Sequence, residues 1–323
     1  MKLITFKTNG YSRLGTLTEK NEVVDLNYAF QALLQSKGKF RSETIAKAYV
    51  PSDAKGFIEG GEESLNYAKE AIDFAQAKPD VFNHQLIYKK EDVKIEAPIQ
   101  NPGKMFCVGH NYEEHIKEMG RDLPENPVVF AKFDNTIVGP EDDIVHYPIS
   151  DKLDYEAELA FVIGKEAKNV SEADALNYVA GYTIVNDVTY RDIQQRTLQW
   201  LQGKTVDGTA PMGPWIMTSD ELQDPDGLEL VLTLNGEEMQ RSNTSNHVFT
   251  VQKLVAFLSG LATLKPGDIV LTGTPGGVGS ARDPQVFMKE GDVVKIEIDK
   301  IGALENDVAT AQSDGNIINN QHD

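Results

Sequence analysis

Leu153-Asp154-Tyr155-Glu156-Ala157-Glu158-Leu159-Ala160-Phe161-Val162-Ile163-Gly164 is rich enough in apolar and aromatic residues to read as a buried strand, yet it carries a run of carboxylates. Alternate residues of a strand share a face, so Glu156 and Glu158 point the same way, and Ala160 and Val162 continue that face. Two anions side by side on an apolar face repel each other and lose hydration, which is costly unless a cation or hydrogen-bonded partners compensate. A hard divalent metal ion is the simplest compensation, because carboxylates are its natural ligands. The alternative is an edge strand with a solvated acidic face, in a chain that holds 50 acidic residues. Asp154 has the same parity, and its place at the strand's end predicts solvent exposure.

A metal site needs a third acid. Gly181-Tyr182-Thr183-Ile184-Val185-Asn186-Asp187 is a strand-like run ending in one, and Asp187 could close an all-oxygen site with room for water and a chelating substrate. Such a site suits Mg²⁺ or Mn²⁺, and the lack of nearby Cys or His argues against zinc. Asp187 could instead cap a helix starting near Asp192.

The 323 residues suit one large domain or a large and a small one, and 40% hydrophobic with 25% charged residues is ordinary for a globular protein. A formal net charge of −19 disfavours nucleic acid and anionic membranes as partners, while a metal and a few local cations can still receive a small anionic substrate. Cys107 is the single cysteine, so no internal disulfide forms, which fits a reducing cytoplasm. The first ten residues lack a signal-peptide apolar core, and nowhere do about eighteen apolar residues run together as a membrane span would require. A cytoplasmic protein is the expectation.

Residues 3–8, 13–18 and 22–25 read as short strands and 29–35 and 65–77 as helices. The prolines and glycine of Pro98-Ile99-Gln100-Asn101-Pro102-Gly103 mark a connector. The predicted division is a small α+β unit over 1–97, a catalytic core over 98–310 and a polar, flexible tail over 311–323. In the core, Asn235-Gly236 predicts a hairpin between strands 228–234 and 238–240. Lys265-Pro266-Gly267-Asp268 and Lys289-Glu290-Gly291-Asp292 each launch an apolar strand, at 269–272 and 293–298. Helical patterns fall at 111–119, 172–180, 192–201 and 251–261. The class is α+β and β-rich.

Three further segments carry candidate chemistry. On a helix over 111–119, Tyr112, Ile116 and Met119 make an apolar stripe, with His115 beside it and Glu118 three residues on, within reach. Such a pair can deprotonate a water, although this spacing also arises by chance on surface helices. Lys204 lies in a Gly- and Pro-rich stretch that could aim a cation inward or merely expose it. Leu271-Thr272-Gly273-Thr274-Pro275-Gly276-Gly277-Val278-Gly279 lacks the Lys-Ser/Thr ending of a P-loop, but its amides and Thr274 could hold a carboxylate. No Gly-x-Ser-x-Gly signals a serine hydrolase.

Five segments taken in order, residues 107–115, 154–159, 181–189, 210–214 and 272–279, resemble the fumarylacetoacetate hydrolase family over roughly residues 98 to 308. The resemblance implies a mixed β-roll or sandwich core, a homodimer, and Mg²⁺ or Mn²⁺ on Glu156, Glu158 and Asp187. It implies that His115 and Glu118 lie on a lid helix and activate water, that Lys204 stabilises enolate charge, and that Thr274 contacts substrate. Arg121 and Lys132 are candidates for substrate carboxylate contacts. His110, Tyr190 and Asn246-His247 depart from the usual family pattern beside the site.

The first functional expectation is hydrolysis of the C–C bond of a 2,4-dioxo acid such as an acylpyruvate or fumarylpyruvate, leaving a metal-bound enolate near Lys204. Alternatives are decarboxylation or tautomerisation of oxaloacetate, and isomerase or hydratase chemistry on 2-hydroxy-dienoates of aromatic catabolism. A metal-stabilised, non-catalytic scaffold is the reading from another class.

Overall fold

The computed structural model describes residues 1–79 and 85–311. Ala157–Ile163 is a strand with every residue buried, paired antiparallel with Val179–Asn186 on one side and Ile269–Leu271 on the other. It is a central strand, so the solvated-edge alternative is excluded. Its apolar run does not alternate with polar residues because both faces are covered. Leu159, Phe161 and Ile163 pack into one core cluster, Ala160 and Val162 into another.

Among the described residues twelve strands form one mixed sheet. Its order runs from Ile87–Lys89 through Glu22–Asp25, Tyr11–Leu17, Lys2–Thr8, Ala210–Thr218, Val179–Asn186, Ala157–Ile163 and Ile269–Leu271 to Met105–Gly109 and Val128–Ala131. Lys2–Thr8 pairs antiparallel with Ala210–Thr218, so the strands of the first hundred residues extend the core's own sheet. A second, five-stranded sheet built around Glu229–Leu234 and Val293–Ile298 stacks its inner residues Leu230, Leu232, Ile296 and Ile298 on the Phe161 face, with helix Val251–Leu261 alongside. Helices Leu26–Ser36 and Gly61–Ala77 contribute Phe30, Leu33, Ala68 and Ala71 to the cluster on the Val162 face. Each large apolar side chain buried in these layers stabilises by about 1.5–3 kcal/mol. The result is the β-rich α+β sandwich the sequence predicts, and no helix among the described residues is long and apolar enough to cross a membrane.

Asp25 shows how locally the sequence writes a boundary. It ends its strand, and its carboxylate accepts from Tyr28 N at 2.9 Å to cap Leu26–Ser36. The hairpin at Asn235-Gly236 forms as expected, with both residues at positive φ (54° and 81°) between Glu229–Leu234 and Glu237–Asn243.

Several elements differ from expectation. The run 153–164 is not one strand: Leu153–Asp154 pairs with Thr189–Tyr190 in a separate ladder, and Tyr155 and Glu156 bridge to Ala157–Ile163. Asp154 is buried rather than exposed, because its carboxylate accepts from Gly279 N (2.8 Å), Ser280 N (2.9 Å) and Arg191 Nε (2.7 Å). The helix expected over 192–201 is two short pieces, Arg191–Gln194 and Leu201–Lys204, since residues 195–199 between them are exposed and offer no stripe to bury. At 172–180 a 3₁₀ segment, Glu172–Tyr178, gives way to a strand from Val179, claimed by the sheet. Helices Ser42–Tyr49 and Ala54–Glu59 were not anticipated. Of the expected tail, residues 312–323 lie outside the described residues.

Candidate active site

The sheet ladder itself assembles the carboxylates. Glu158 points from the central strand, and Glu156 lies just before it with its N–H donating to Asn186 Oδ1 at 3.0 Å. Asp187 N donates to Glu156 O at 2.8 Å, which makes Asp187 the cross-strand neighbour of Glu156. All three are buried, and one carboxylate oxygen from each lies within 4.8 Å of the others.

Three basic side chains converge here. Lys204 Nζ lies 2.7 Å from both Glu156 Oε2 and Asp187 Oδ2 and is 1% exposed. Arg191 ties Glu156 Oε1 (2.6 Å) to Asp154 Oδ2 (2.7 Å). Lys132 Nζ sits 2.9 Å from Asp187 Oδ1 and donates to Val188 O at 3.0 Å. Against these three cations stand four buried carboxylates, Asp154, Glu156, Glu158 and Asp187. Glu158 is the one that no basic side chain pairs among the described residues; its Oε2 accepts only from Gly273 N, at 2.5 Å.

The ionisation equilibria follow. Burial raises the Glu156 carboxyl, but Lys204 and Arg191 overcome it and bring it down to about 2. Burial and the charges of Asp187 and Glu156 drive Glu158 well above the usual carboxylate range. Burial lowers the Lys204 ammonium, but Asp187 and Glu156 outweigh it, so Lys204 stays charged. This donor set fits a divalent cation: all oxygen, buried, clustered, and with one carboxylate short of a positive partner.

His115 Nδ1 lies 3.2 Å from Glu118 Oε1 on the helix Glu113–Glu118, as the spacing anticipated. Gly277 N donates to Glu118 Oε2 at 2.7 Å, and Ser242 Oγ donates to Glu114, so this short helix is held by the 272–279 loop and by strand Glu237–Asn243. A cavity of about 70 Å³ collects His115, Arg121, Glu156, Glu158, Lys204 and Thr274. Asp187, Glu118 and Lys132 do not line it directly; the Lys132 amine is held by Asp187. A larger cavity of about 450 Å³ lies between helix Gly61–Ala77 and the core sheet, and it holds none of these groups. The chemistry therefore belongs to the smaller one.

Arg191, Gln194 and Trp200 also line the small cavity, and sequence reasoning singled out none of them. Buried Gln240 was missed too: it accepts from Ala157 N at 2.9 Å and donates to Thr274 Oγ1 (2.8 Å) and Pro275 O (2.9 Å), locking strand to loop. Neither carried a local signal: Arg191 pairs with Asp154 and Glu156, 37 and 35 residues before it, and Gln240 bonds across the fold.

The family model described as fumarylacetoacetate (FAA) hydrolase C-terminal matches residues 104–309. A fumarylacetoacetate hydrolase domain-containing protein 2 homolog of Dictyostelium discoideum is 43% identical over 95% of this chain and 97% of its own. A mitochondrial oxaloacetate tautomerase of Xenopus laevis is 44% identical over 85% of this chain and 84% of its own. Among solved structures, maleylpyruvate hydrolase from Sphingobium sp. SYK-6 in complex with manganese(II) and pyruvate superposes with a TM-score of 0.73 at 27% identity, covering 97% of this chain and all of that one.

Proposed function

The chain belongs to the fumarylacetoacetate hydrolase family, and from that membership we propose that it is a divalent-metal-dependent enzyme that interconverts the enol and keto forms of oxaloacetate. The observation that carries this reading is the single small cavity in which a charged lysine and a histidine–carboxylate pair converge on buried carboxylates. The oxaloacetate tautomerase of Xenopus laevis, similar over most of this chain, supports it.

Glu156, Glu158 and Asp187 would hold Mg²⁺ or Mn²⁺, which when bound supplies Lewis-acid chelation of the 2-oxo acid. Lys204, held protonated by Glu156 and Asp187, stabilises negative charge growing on the C2 oxygen. Glu118 fixes one imidazole nitrogen of His115, leaving the other to take up the proton lost from the C2 enol oxygen and to deliver a proton to C3, with both transfers reversed in the keto-to-enol direction. Thr274, clamped by Gln240, and Arg121 orient the substrate carboxylates. Lys132 neutralises Asp187, which replaces the substrate contact expected of it.

C–C hydrolysis, the first expectation from sequence, is the second reading. It is favoured by the likeness to maleylpyruvate hydrolase along nearly the whole chain, and it would use the same His115–Glu118 pair to deprotonate water. A lone buried cysteine is in keeping with a reducing, cytoplasmic setting, and a homodimer is the expected assembly by likeness to the family. The proposal treats residues 1–97 as a unit that covers one face of the core.

The test supplies metal-stripped protein with Mg²⁺ or Mn²⁺ and either oxaloacetate or acetylpyruvate. Metal-dependent loss of the oxaloacetate enol chromophore without CO₂ release is the expected result. Acetate released from acetylpyruvate, with no effect on the enol, would install the hydrolase reading instead.

A further inference from the structure

We propose that Trp200 is the specificity-determining residue that limits substrate length, its indole closing the cavity to 2-oxo acids much longer than about four carbons. This rests on the reading of the site as a 2-oxo acid site.

Trp200 follows a run of exposed residues, 195–199, yet its own side chain turns inward and lines the cavity. It belongs to none of the hydrophobic core clusters, so the ring is not there to fill the interior. It is wedged instead. A Cβ at position 109 would come within 2.5 Å of Trp200 Cζ3 and 2.9 Å of Cη2, so the ring has its seat only because residue 109 is glycine. His110 and Phe130 meet the indole edge-on, with ring centroids at 5.3 and 5.4 Å. Phe130 in turn lies under the Lys204 ammonium, 5.1 Å from its centroid. The wall is thus coupled through one ring to the cation that reaches the carboxylates. A space of about 70 Å³ is far below the roughly 300–1,000 Å³ of ordinary small-molecule sites, which makes an aromatic wall decisive for what enters.

A methylene group with or without room is worth about 10–200-fold in discrimination. The test measures binding of pyruvate, 2-oxobutanoate, 2-oxopentanoate and 2-oxohexanoate to the Mg²⁺-loaded protein by calorimetry. Wild type should lose at least about tenfold in affinity between 2-oxobutanoate and 2-oxohexanoate. Trp200→Ala should flatten or reverse that fall, and Trp200→Phe should lie between. Gly109→Ala should alter the cut-off alone but have no effect added to Trp200→Ala, since the new methyl then meets no ring. A wild-type cut-off retained in folded Trp200→Ala and Trp200→Phe overturns the proposal, and so does additivity of the two substitutions. Because binding is read without turnover, a shifted cut-off in a protein that leaves oxaloacetate untouched would sink the tautomerase reading and keep the length limit. If no 2-oxo acid binds the wild type, both fall.

Discussion

Replacing Glu158 by glutamine should stabilise the metal-free protein while abolishing its response to metal. Among the described residues Glu158 is the one carboxylate of the cluster without a basic partner, and its ligand oxygen lies within 4.8 Å of those of Glu156 and Asp187. At an effective dielectric constant of about 20, two unit charges at that distance repel by about 3.5 kcal/mol. The wild-type chain can avoid this by protonating Glu158, whose ordinary value is 4.5. At pH 7 that uptake costs about 3.4 kcal/mol, and at pH 5 about 0.7 kcal/mol. A carboxyl raised on folding contributes stability below its unfolded value and loses it as pH climbs through the folded one. The variant escapes this loss. Its advantage should therefore be about 2–3 kcal/mol at pH 7, with Lys204 offsetting part of the repulsion, and under about 1 kcal/mol at pH 5. Urea unfolding in the presence of a chelator at pH 5, 6 and 7 reads the difference, with equal m-values confirming that only stability changed. Mg²⁺ should then raise wild-type stability by mass action, with proton release, and leave the variant unmoved. A metal-free variant no more stable than wild type at pH 7, or one that still gains stability from Mg²⁺, would refute the charge accounting.

Other expectations follow from the same geometry. His115→Ala should cut turnover by about 10²–10⁴-fold yet keep the metal-induced rise in melting temperature, because the imidazole contacts Glu118 and is not one of the clustered carboxylates. Arg191→Met strands Asp154 and Glu156 without their shared cation and should cost about 3–5 kcal/mol of stability in urea, partly recovered by adding Asp154→Asn. Gln240→Leu leaves Ala157 N and Pro275 O unpaired, so a loss of about 2–4 kcal/mol is expected, together with a raised KM from a displaced Thr274.

What the sequence by itself determined is whatever short-range physics fixes. Helix Val251–Leu261 carries its own apolar stripe and Thr250 cap, and the Asn235-Gly236 turn needs only two residues with access to positive φ. The pairing of Glu156 with Glu158 was legible in their two-residue spacing, although Glu156 lies just before the strand, and i to i+3 spacing alone put His115 beside Glu118. Only tertiary structure decided the rest. The segment between Asp192 and Leu201 has enough helical propensity to mislead, but it finds nothing to bury against. Asp154 looked exposed until Arg191 and the amides of Gly279 and Ser280, 37 and more than a hundred residues away, supplied its partners. Nothing local to Lys132 or Lys204 says which carboxylate it pairs with; only the fold puts one beside Asp187 and the other across Asp187 and Glu156. Desolvation and charge pairing depend on which atoms surround a group in three dimensions, and spacing along a chain does not encode that.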